Sequence, residues 1–173
     1  MVECAVMAII AYLIGSINFS VILSKKMAGF DVREKGSGNA GTTNMLRSVG
    51  KKAAAITLVL DILKGVVAIL IAMAIGRIFE NSNGALLVQV AGVAVILGHT
   101  FPIFFKFKGG KGVATSLGVL IMSNWQIGLI CLVFALILIA LTQMVSVGSI
   151  AAAILYPVLT LFIPQNYIVP GNY

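Results

Sequence analysis

The sequence contains very little charge. Only 10% of its 173 residues are Asp, Glu, Lys or Arg, whereas soluble domains average about 25%, and 60% are hydrophobic. Twelve basic and five acidic side chains cannot cover the surface of a water-soluble globule. The same composition excludes an intrinsically disordered chain, which needs low hydrophobicity. The composition therefore indicates a protein whose solvent is the lipid bilayer.

Cysteine and histidine are also scarce. Cys4 and Cys131 both lie inside apolar runs, which excludes a disulfide scaffold and favours a role as small hydrophobic residues. One histidine, two dispersed cysteines and a few separated carboxylates do not form a metal-ligand set. We therefore expect no metal site.

Long apolar runs make up most of the sequence. A helix needs about 20 apolar residues to cross a bilayer, and candidate spans lie at 4–24, 53–75, 84–105, 126–143 and 147–163, with 112–123 as a shorter sixth. The first span has neither a basic leading region nor a cleavage site, so we expect it to be retained. The sequence predicts an all-α, polytopic transmembrane helical bundle of six spans, in a single domain over residues 1–173.

The basic residues are distributed unevenly. Seven lie in the loop 25–52 and three in the loop 106–111, whereas 112–173 carries no charge. Two spans separate these loops, so both lie on one face, which the positive-inside rule makes cytoplasmic, with the N-terminus outside. If 112–123 crosses the membrane, Ser146 returns to the cytoplasmic face. The 12 residues of the segment 112–123 rise only about 18 Å as a helix, so a re-entrant segment is the alternative to a full crossing.

The stretch 35–47 is the richest in glycine and in short polar side chains. Three glycines in six residues leave backbone N–H groups available, and Lys35 and Arg47 bracket hydroxyl and amide side chains. This pattern favours a site for an anion with several oxygens, although a solvated flexible loop is the simpler alternative. The GxGxxG spacing from Gly36 to Gly41 does not predict a dinucleotide site, because membrane spans flank it rather than a βαβ unit.

A second constellation follows the third span. His99, the only histidine, precedes an aromatic interfacial stretch and the turn Gly109–Gly112, which would place backbone N–H groups and Lys111 at a helix N-terminus. Such a turn is suited to an anion. For Lys106 and Lys108, contact with lipid headgroups is the simpler interpretation. For His99, a structural role and a role in the site are equally compatible with the sequence.

Asp61 and Lys64 lie inside the second span at positions i and i+3, on one helix face. Each would cost about 2.5–3.5 kcal/mol alone at the centre of a membrane helix. We therefore expect an ion pair that stabilises helix packing, with a direct catalytic part as the alternative.

Two phosphate-suited loops above an apolar body predict a phosphorylated polar substrate and a partner with a hydrocarbon tail. An acyl transfer satisfies both, because such loops can position a hydroxyl and stabilise an oxyanion. Nucleic acid is not expected, since membrane orientation and anionic lipid or substrate account for the positive charge. The alternative function is a transporter for a small phosphorylated anion, which predicts internal repeats that the sequence lacks.

Four segments resemble the bacterial acyl-phosphate:glycerol-3-phosphate acyltransferase family, PlsY: GSGNAGTTNMLR at 36–47, DILKG at 61–65, GHTFPIFFKFKGGKGVAT at 98–115 and SVGSI at 146–150. The resemblance implies transfer of a fatty acyl group from acyl phosphate to the 1-hydroxyl of sn-glycerol 3-phosphate. The product is lysophosphatidate, used in phospholipid biosynthesis. It also implies no cofactor, a location in the bacterial cytoplasmic (inner) membrane, and the soluble enzyme that makes acyl phosphate as a candidate partner. The family has seven helices, so we expect this chain to be truncated before the last one and its C-terminal motif.

Carried over by position, the resemblance implies catalytic roles for Ser37, Asn39 and His99. The residues expected to bind the substrate phosphates are Gly38, Gly41, Asn44, Arg47, Lys108, Gly109, Gly110, Lys111, Gly112 and Ser146. We expect Arg47 to clamp one phosphate through its planar fork and Lys111 to neutralise a second charge. The general base is either His99 or the donor's own phosphate.

Overall fold

The computed structural model describes residues 2–79 and 83–163, and the regular structure of these residues is entirely helical. The helices are α1 (Val2–Gly15), α2 (Phe19–Ala28), α3 (Thr42–Ser48), α4 (Lys51–Ile78), α5 (Gly84–Thr100), α6 (Val113–Ser123), α7 (Trp125–Thr142) and α8 (Val145–Thr160), with 3-10 turns at Val32–Glu34 and Ile103–Phe105. The prediction of an all-α chain is confirmed for these residues. The predicted C-terminal truncation concerns the chain after Ile163, outside the described residues.

Three asparagines start helices. Asn18, Asn83 and Asn124 have extended backbone, and each side chain accepts a hydrogen bond from the N–H three residues further on. This satisfies one of the amides that the first turn of a helix leaves without a partner. At the other end of α2, Gly29 adopts a left-handed conformation with φ 74° and donates its N–H to the carbonyl of Lys25.

The first predicted span is broken. Instead of one helix over 4–24, α1 ends at Gly15 and α2 begins at Phe19. Lys64 Nζ donates to the carbonyls of Gly15, at 3.1 Å, and Ile17, at 2.9 Å. A break inside a membrane span leaves carbonyls without helical partners, which is tolerated only where other groups satisfy them. The lysine on α4 therefore stabilises the break.

Four segments are long and apolar enough to cross a bilayer: Val2–Ala28, Lys51–Ile78, Gly84–Phe105 and Trp125–Thr142. They coincide with four of the predicted spans. The other two predicted spans, 112–123 and 147–163, correspond to α6 and α8, which have only 11 and 16 residues. Whether these two helices cross the membrane stays a prediction.

The described residues form two compact units that divide at Gly118, within α6. In the first unit α1 packs against α5 at glycines. A Cβ on Gly15 would collide with the Val95 carbonyl, and one on Gly98 would collide with the Tyr12 carbonyl. Small residues permit this close backbone approach, which is the usual basis of helix packing in membranes. The contact holds the C-terminal end of α5, and with it His99, next to the α1–α2 break.

The second unit contains α7 and α8, which pack against each other. Gly148 on α8 faces the Ala135 carbonyl and Ile139 of α7, and a Cβ there would approach Ile139 Cγ1 to 2.7 Å. Most of the other apolar side chains of α7 are exposed, for example Leu136 and Ile137. In a chain of this composition such exposed apolar faces are suited to contact with lipid.

Candidate active site

Loop 1, residues 30–41, is built around Asn44. The side chain is 1% exposed, and Nδ2 donates to the carbonyls of Val32, at 2.8 Å, and Lys35, at 3.0 Å. Its Oδ1 accepts from the Ser37 N–H, at 3.0 Å, and from Ser48 Oγ, at 3.3 Å. Both donors and the acceptor are therefore used inside the protein. The side chain holds loop 1 in shape, and the expectation that Asn44 binds phosphate stays a prediction.

Two glycines of loop 1 require left-handed backbone. Gly36 has φ 58° and Gly38 has φ 71°, a region that side chains rarely occupy. Gly36 is constrained a second time, because a Cβ there would collide with Asn44 Oδ1. Below the loop, Val32, Ala40 and Met45 belong to a buried apolar cluster that anchors it. Loop 1 therefore has a defined shape, which disfavours the alternative of a flexible solvated loop.

Most amides of loop 1 are not free for a ligand. The N–H groups of Gly38, Ala40 and Gly41 donate to the carbonyls of Lys35, Gly109 and Asn39. These amides are engaged within the protein, and the expectation that Gly38 and Gly41 bind phosphate stays a prediction. The groups left for a substrate are side chains: Ser37 and Arg47 are exposed, and Asn39 is partly buried.

Loop 2, residues 101–112, folds back onto the end of α5. Gly109 N–H donates to the Thr100 carbonyl at 3.1 Å, and Gly110 N–H donates to the His99 carbonyl at 3.2 Å. These amides cap the last carbonyls of the helix, and the expectation that Gly109 and Gly110 bind phosphate stays a prediction. Gly112, with φ 77°, turns the chain into α6. Lys108 and Lys111 remain exposed.

The two loops are neighbours. Ala40 N–H donates to the Gly109 carbonyl at 3.4 Å, and the Ala40 carbonyl lies next to Gly110. The two glycine-bearing loops therefore lie side by side. Their exposed side chains, Ser37, Arg47, Lys108 and Lys111, therefore belong to one end of the first unit.

A second link between the loops was not predicted from the sequence. Arg33 NH1 donates to the carbonyls of Phe105, at 2.8 Å, and Lys108, at 3.2 Å. The other side of the guanidinium binds Asp31, with Nε at 2.9 Å from Oδ1 and NH2 at 2.7 Å from Oδ2. The signal in the sequence is Asp31, two positions before Arg33, but the charges of this loop are equally well explained by membrane orientation.

The Asp31–Arg33 pair shifts the pKa of both groups. Hydrogen bonds from Arg33 lower the pKa of Asp31 from its ordinary 3.8 to about 2, and Asp31 in turn raises the pKa of Arg33. A carboxylate with a depressed pKa stabilises the folded state above its unfolded pKa. The pair therefore contributes fully above about pH 4 and loses its contribution as the pH falls towards 2.

His99 is buried behind loop 2. The side chain is 4% exposed, and Nδ1 lies 3.5 Å from Asp61 Oδ1. Nε2 faces Gly110, where a Cβ would collide with it. The same Asp61 oxygen forms an ion pair with Lys64 Nζ at 2.9 Å, so the predicted pairing of Asp61 and Lys64 is confirmed. One carboxylate therefore joins the site histidine to the lysine that stabilises the α1–α2 break.

Ser146 lies in the first turn of α8, in the second unit, and is exposed. Its carbonyl accepts a hydrogen bond from Ser149 Oγ at 3.1 Å. Its expected contact with a substrate phosphate stays a prediction. Over residues 2–79 and 83–163, no three His, Cys, Asp or Glu side chains gather in a way that could hold a metal ion.

The glycerol-3-phosphate acyltransferase family matches residues 5–171. Among curated relatives, the glycerol-3-phosphate acyltransferase of Thermoanaerobacter pseudethanolicus is 49% identical over 88% of this chain and 73% of its own length. That of Clostridioides difficile is 42% identical over 93% of this chain and 78% of its own length.

Solved structures give the same result. The chain superposes with a TM-score of 0.80 on the glycerol 3-phosphate form of PlsY (YgiH), an integral membrane glycerol 3-phosphate acyltransferase, at 39% identity over 91% of this chain and 76% of that one. The lysophosphatidic acid form gives a TM-score of 0.78 at 37% identity, with the same coverage. This chain is a multi-pass membrane protein, helical throughout the regular structure of residues 2–79 and 83–163, and it belongs to the glycerol-3-phosphate acyltransferase family.

Proposed function

We propose that this chain transfers a fatty acyl group from acyl phosphate to the 1-hydroxyl of sn-glycerol 3-phosphate and releases lysophosphatidate and phosphate. The observation that carries the proposal is the Ala40–Gly109 contact, which joins two loops with exposed Arg47, Lys108 and Lys111. Solved PlsY structures in glycerol 3-phosphate and lysophosphatidic acid forms support this substrate and product. The named relatives support an acyltransferase rather than a transporter of a phosphorylated anion.

The side chains of the two loops bind two charged groups, the phosphate of glycerol 3-phosphate and the phosphate of acyl phosphate. Arg47, in the last turn of α3, clamps one phosphate through two parallel N–H bonds, and Lys111 neutralises the other as a point charge. Ser37 and Asn39 donate to the donor phosphate or to the oxyanion that forms at the acyl carbon. Because most loop amides have protein partners, side chains rather than backbone N–H groups supply most of the binding. Lys108 and Ser146 remain candidate phosphate ligands.

The chemistry needs one proton transfer. The 1-hydroxyl oxygen attacks the acyl carbon, the bond from that carbon to the phosphate oxygen breaks, and the hydroxyl proton moves to the departing phosphate. Acyl phosphate is already activated, so no covalent serine intermediate is needed. The burial of His99 between Asp61 and Gly110 favours the donor phosphate, with a second pKa of about 6, as the base. His99 then positions loop 2.

The His99→Asn variant distinguishes the two bases. If His99 positions loop 2, turnover falls but the shape of the pH–rate profile is unchanged, because the titrating group belongs to the substrate. The measurement is kcat at saturating substrates across the accessible pH range. A profile that loses one titration step in the variant would instead assign the base to His99.

We further propose that both loops face the cytoplasm of a bacterial inner membrane, with the N-terminus outside. The support is the excess of lysine and arginine in the loops 25–52 and 106–111. Substrates made in the cytosol then reach the loops directly, while the acyl chain stays in the bilayer. This orientation also lets a soluble enzyme that makes acyl phosphate deliver it from the same side.

One experiment tests reaction and orientation together. Sealed inside-out and right-side-out vesicles containing the chain are given acyl phosphate and labelled glycerol 3-phosphate, which does not cross the bilayer unaided. We expect labelled lysophosphatidate only from inside-out vesicles. Product from right-side-out vesicles alone would reverse the topology. Accumulation of unmodified label inside the vesicles without any product would establish the transporter and overturn the enzyme.

Replacing Arg47 with lysine keeps the charge but removes the planar fork, so we expect kcat/KM to fall about tenfold, the difference of one charge-assisted hydrogen bond. Lys51→Ala is the control, since this cation is exposed at the start of α4 and has no assigned contact with substrate. Steady-state kinetics in detergent or nanodiscs provide the measurement. Wild-type kinetics from Arg47→Lys would refute the clamp.

A further inference from the structure

We propose that Arg33 is a positioning residue that holds the 105–108 turn against loop 1 and thereby places Lys108 and Lys111 at the substrate site. The proposal rests on the proposed function for its catalytic consequence. Its structural part, the restraint of the turn, stands independently of that function.

The guanidinium has partners in both loops. Nε and NH2 bind the two oxygens of Asp31, and NH1 binds the carbonyls of Phe105 and Lys108. The group also lies over the Phe105 ring, at 6.0 Å from its centroid. These contacts cross 72 and 75 residues of sequence. One side chain on loop 1 therefore binds the backbone of loop 2 at two points.

The two carbonyls lie on either side of strained backbone. Lys106 and Phe107 both have φ 57°, the left-handed region that residues with side chains rarely occupy and that two in succession occupy still more rarely. Such a conformation persists only where surrounding contacts hold it in place. The hydrogen bonds from Arg33 to the residue before and the residue after this pair are contacts of that kind.

The turn determines where the lysines lie. Directly after it, Gly109 and Gly110 bind the carbonyls at the end of α5, and Lys111 follows. If Arg33 is replaced, the carbonyls of Phe105 and Lys108 lose their donor. The left-handed residues Lys106 and Phe107 can then relax, and the chain direction at Lys108 changes first. A lysine at position 33 cannot replace the arginine, because its ammonium cannot bind a carboxylate bidentately and reach two carbonyls together.

Limited digestion with trypsin tests the restraint without any assay of activity. Trypsin cleaves after Lys106 and Lys108, and mass spectrometry identifies the cut. In the purified full chain we expect Arg33→Lys and Arg33→Gln to increase the initial cleavage rate there by about tenfold, as expected for the loss of charge-assisted hydrogen bonds. Lys25→Ala is the matched control, because Lys25 also pairs with Asp31, at 3.5 Å, but is 59% exposed and donates no bond to the turn.

Equal cleavage rates in wild type, Arg33→Lys and Lys25→Ala would overturn the proposal. If Arg33→Gln does not fold, Arg33→Lys and Asp31→Asn provide the test. Asp31→Asn weakens the restraint because it removes the carboxylate charge that holds the Arg33 guanidinium in place. An increase confined to the Arg33 and Asp31 variants supports the proposal even if the wild-type chain transfers no acyl group, so its failure and that of the proposed function are distinguishable.

Kinetics test the catalytic consequence. We expect Arg33→Lys to raise by about tenfold the KM of the substrate whose KM Lys111→Ala also raises, while the KM of the other substrate changes by less than about twofold. Combined with Lys111→Ala, the effect of Arg33→Lys should largely disappear, because both changes affect the same contact. A fall in kcat and thermal stability with both KM values unchanged would show a merely structural role and overturn the positioning role.

Discussion

Replacing Gly110 with alanine is expected to lower kcat/KM for acyl transfer by about a hundredfold, the loss that follows when catalytic groups are misplaced by about 1 Å. The new Cβ would collide with His99 Nε2 and would lie 2.7 Å from the Ala40 carbonyl oxygen. Neither neighbour can yield easily, because His99 is buried beside Asp61 and Ala40 is hydrogen-bonded to Gly109. Steady-state kinetics with both substrates varied provide the measurement.

The control for this variant is Gly29→Ala. Gly29 also ends a structural element, at the C-terminus of α2, with φ 74°, but a Cβ there would meet no atom within 4 Å. Alanine at this position introduces backbone strain alone, and we expect activity within about twofold of wild type. Full activity in Gly110→Ala would mean that the contact between the loops does not position the substrate groups.

The largest expected loss of stability comes from Asp61→Asn. Asp61 is 1% exposed and Lys64 is 4% exposed, and their charged atoms are 2.9 Å apart. Removing one charge from a buried pair costs about 3–5 kcal/mol, because the remaining charge is left uncompensated. Here the remaining charge is the ammonium that also binds the carbonyls of Gly15 and Ile17. We expect a clear fall in the midpoint temperature of thermal unfolding in detergent, as measured by intrinsic fluorescence.

The double variant Asp61→Asn with Lys64→Gln distinguishes charge from packing. Glutamine keeps a donor for the carbonyls of the break and removes the lone charge, so the double variant should recover part of the lost stability. Lys52→Gln, an exposed change near the start of the same helix, should leave the midpoint unchanged. A double variant less stable than Asp61→Asn, or an unchanged midpoint in Asp61→Asn, would contradict the account.

The helices were largely predictable, because each depends on local properties. Apolar runs long enough for a span coincide with α4, α5 and α7 within a few residues. The break between α1 and α2 was not predicted, although Gly15, Ser16 and Asn18 interrupt the apolar run with residues typical of a helix end and a helix start. The sequence pattern does not contain the contact that stabilises the break, because Lys64 binds the Gly15 carbonyl from 49 residues away.

The candidate site was predictable in position but not in its hydrogen bonds. The count of spans between the loops predicted that both lie on one face, and the folded chain brings them into contact. The hydrogen bonds that most loop amides make within the protein were not predicted, because only the folded chain decides which partner an amide finds. Asn44 illustrates the same point: an amide side chain can bind a phosphate or the backbone, and here it is 1% exposed and makes four internal hydrogen bonds.

The amino-acid sequence by itself determined the solvent of this protein, its helical class and the two loops that carry anion-suited side chains. Composition, the length of apolar runs and the position of charges are sufficient for these properties. Only the tertiary structure decided which donors already have partners in the protein, how the break in the first span is stabilised and that Arg33 joins the loops. The physical reason is that a hydrogen-bonding group has several possible partners, and folding selects one that can lie 75 residues away.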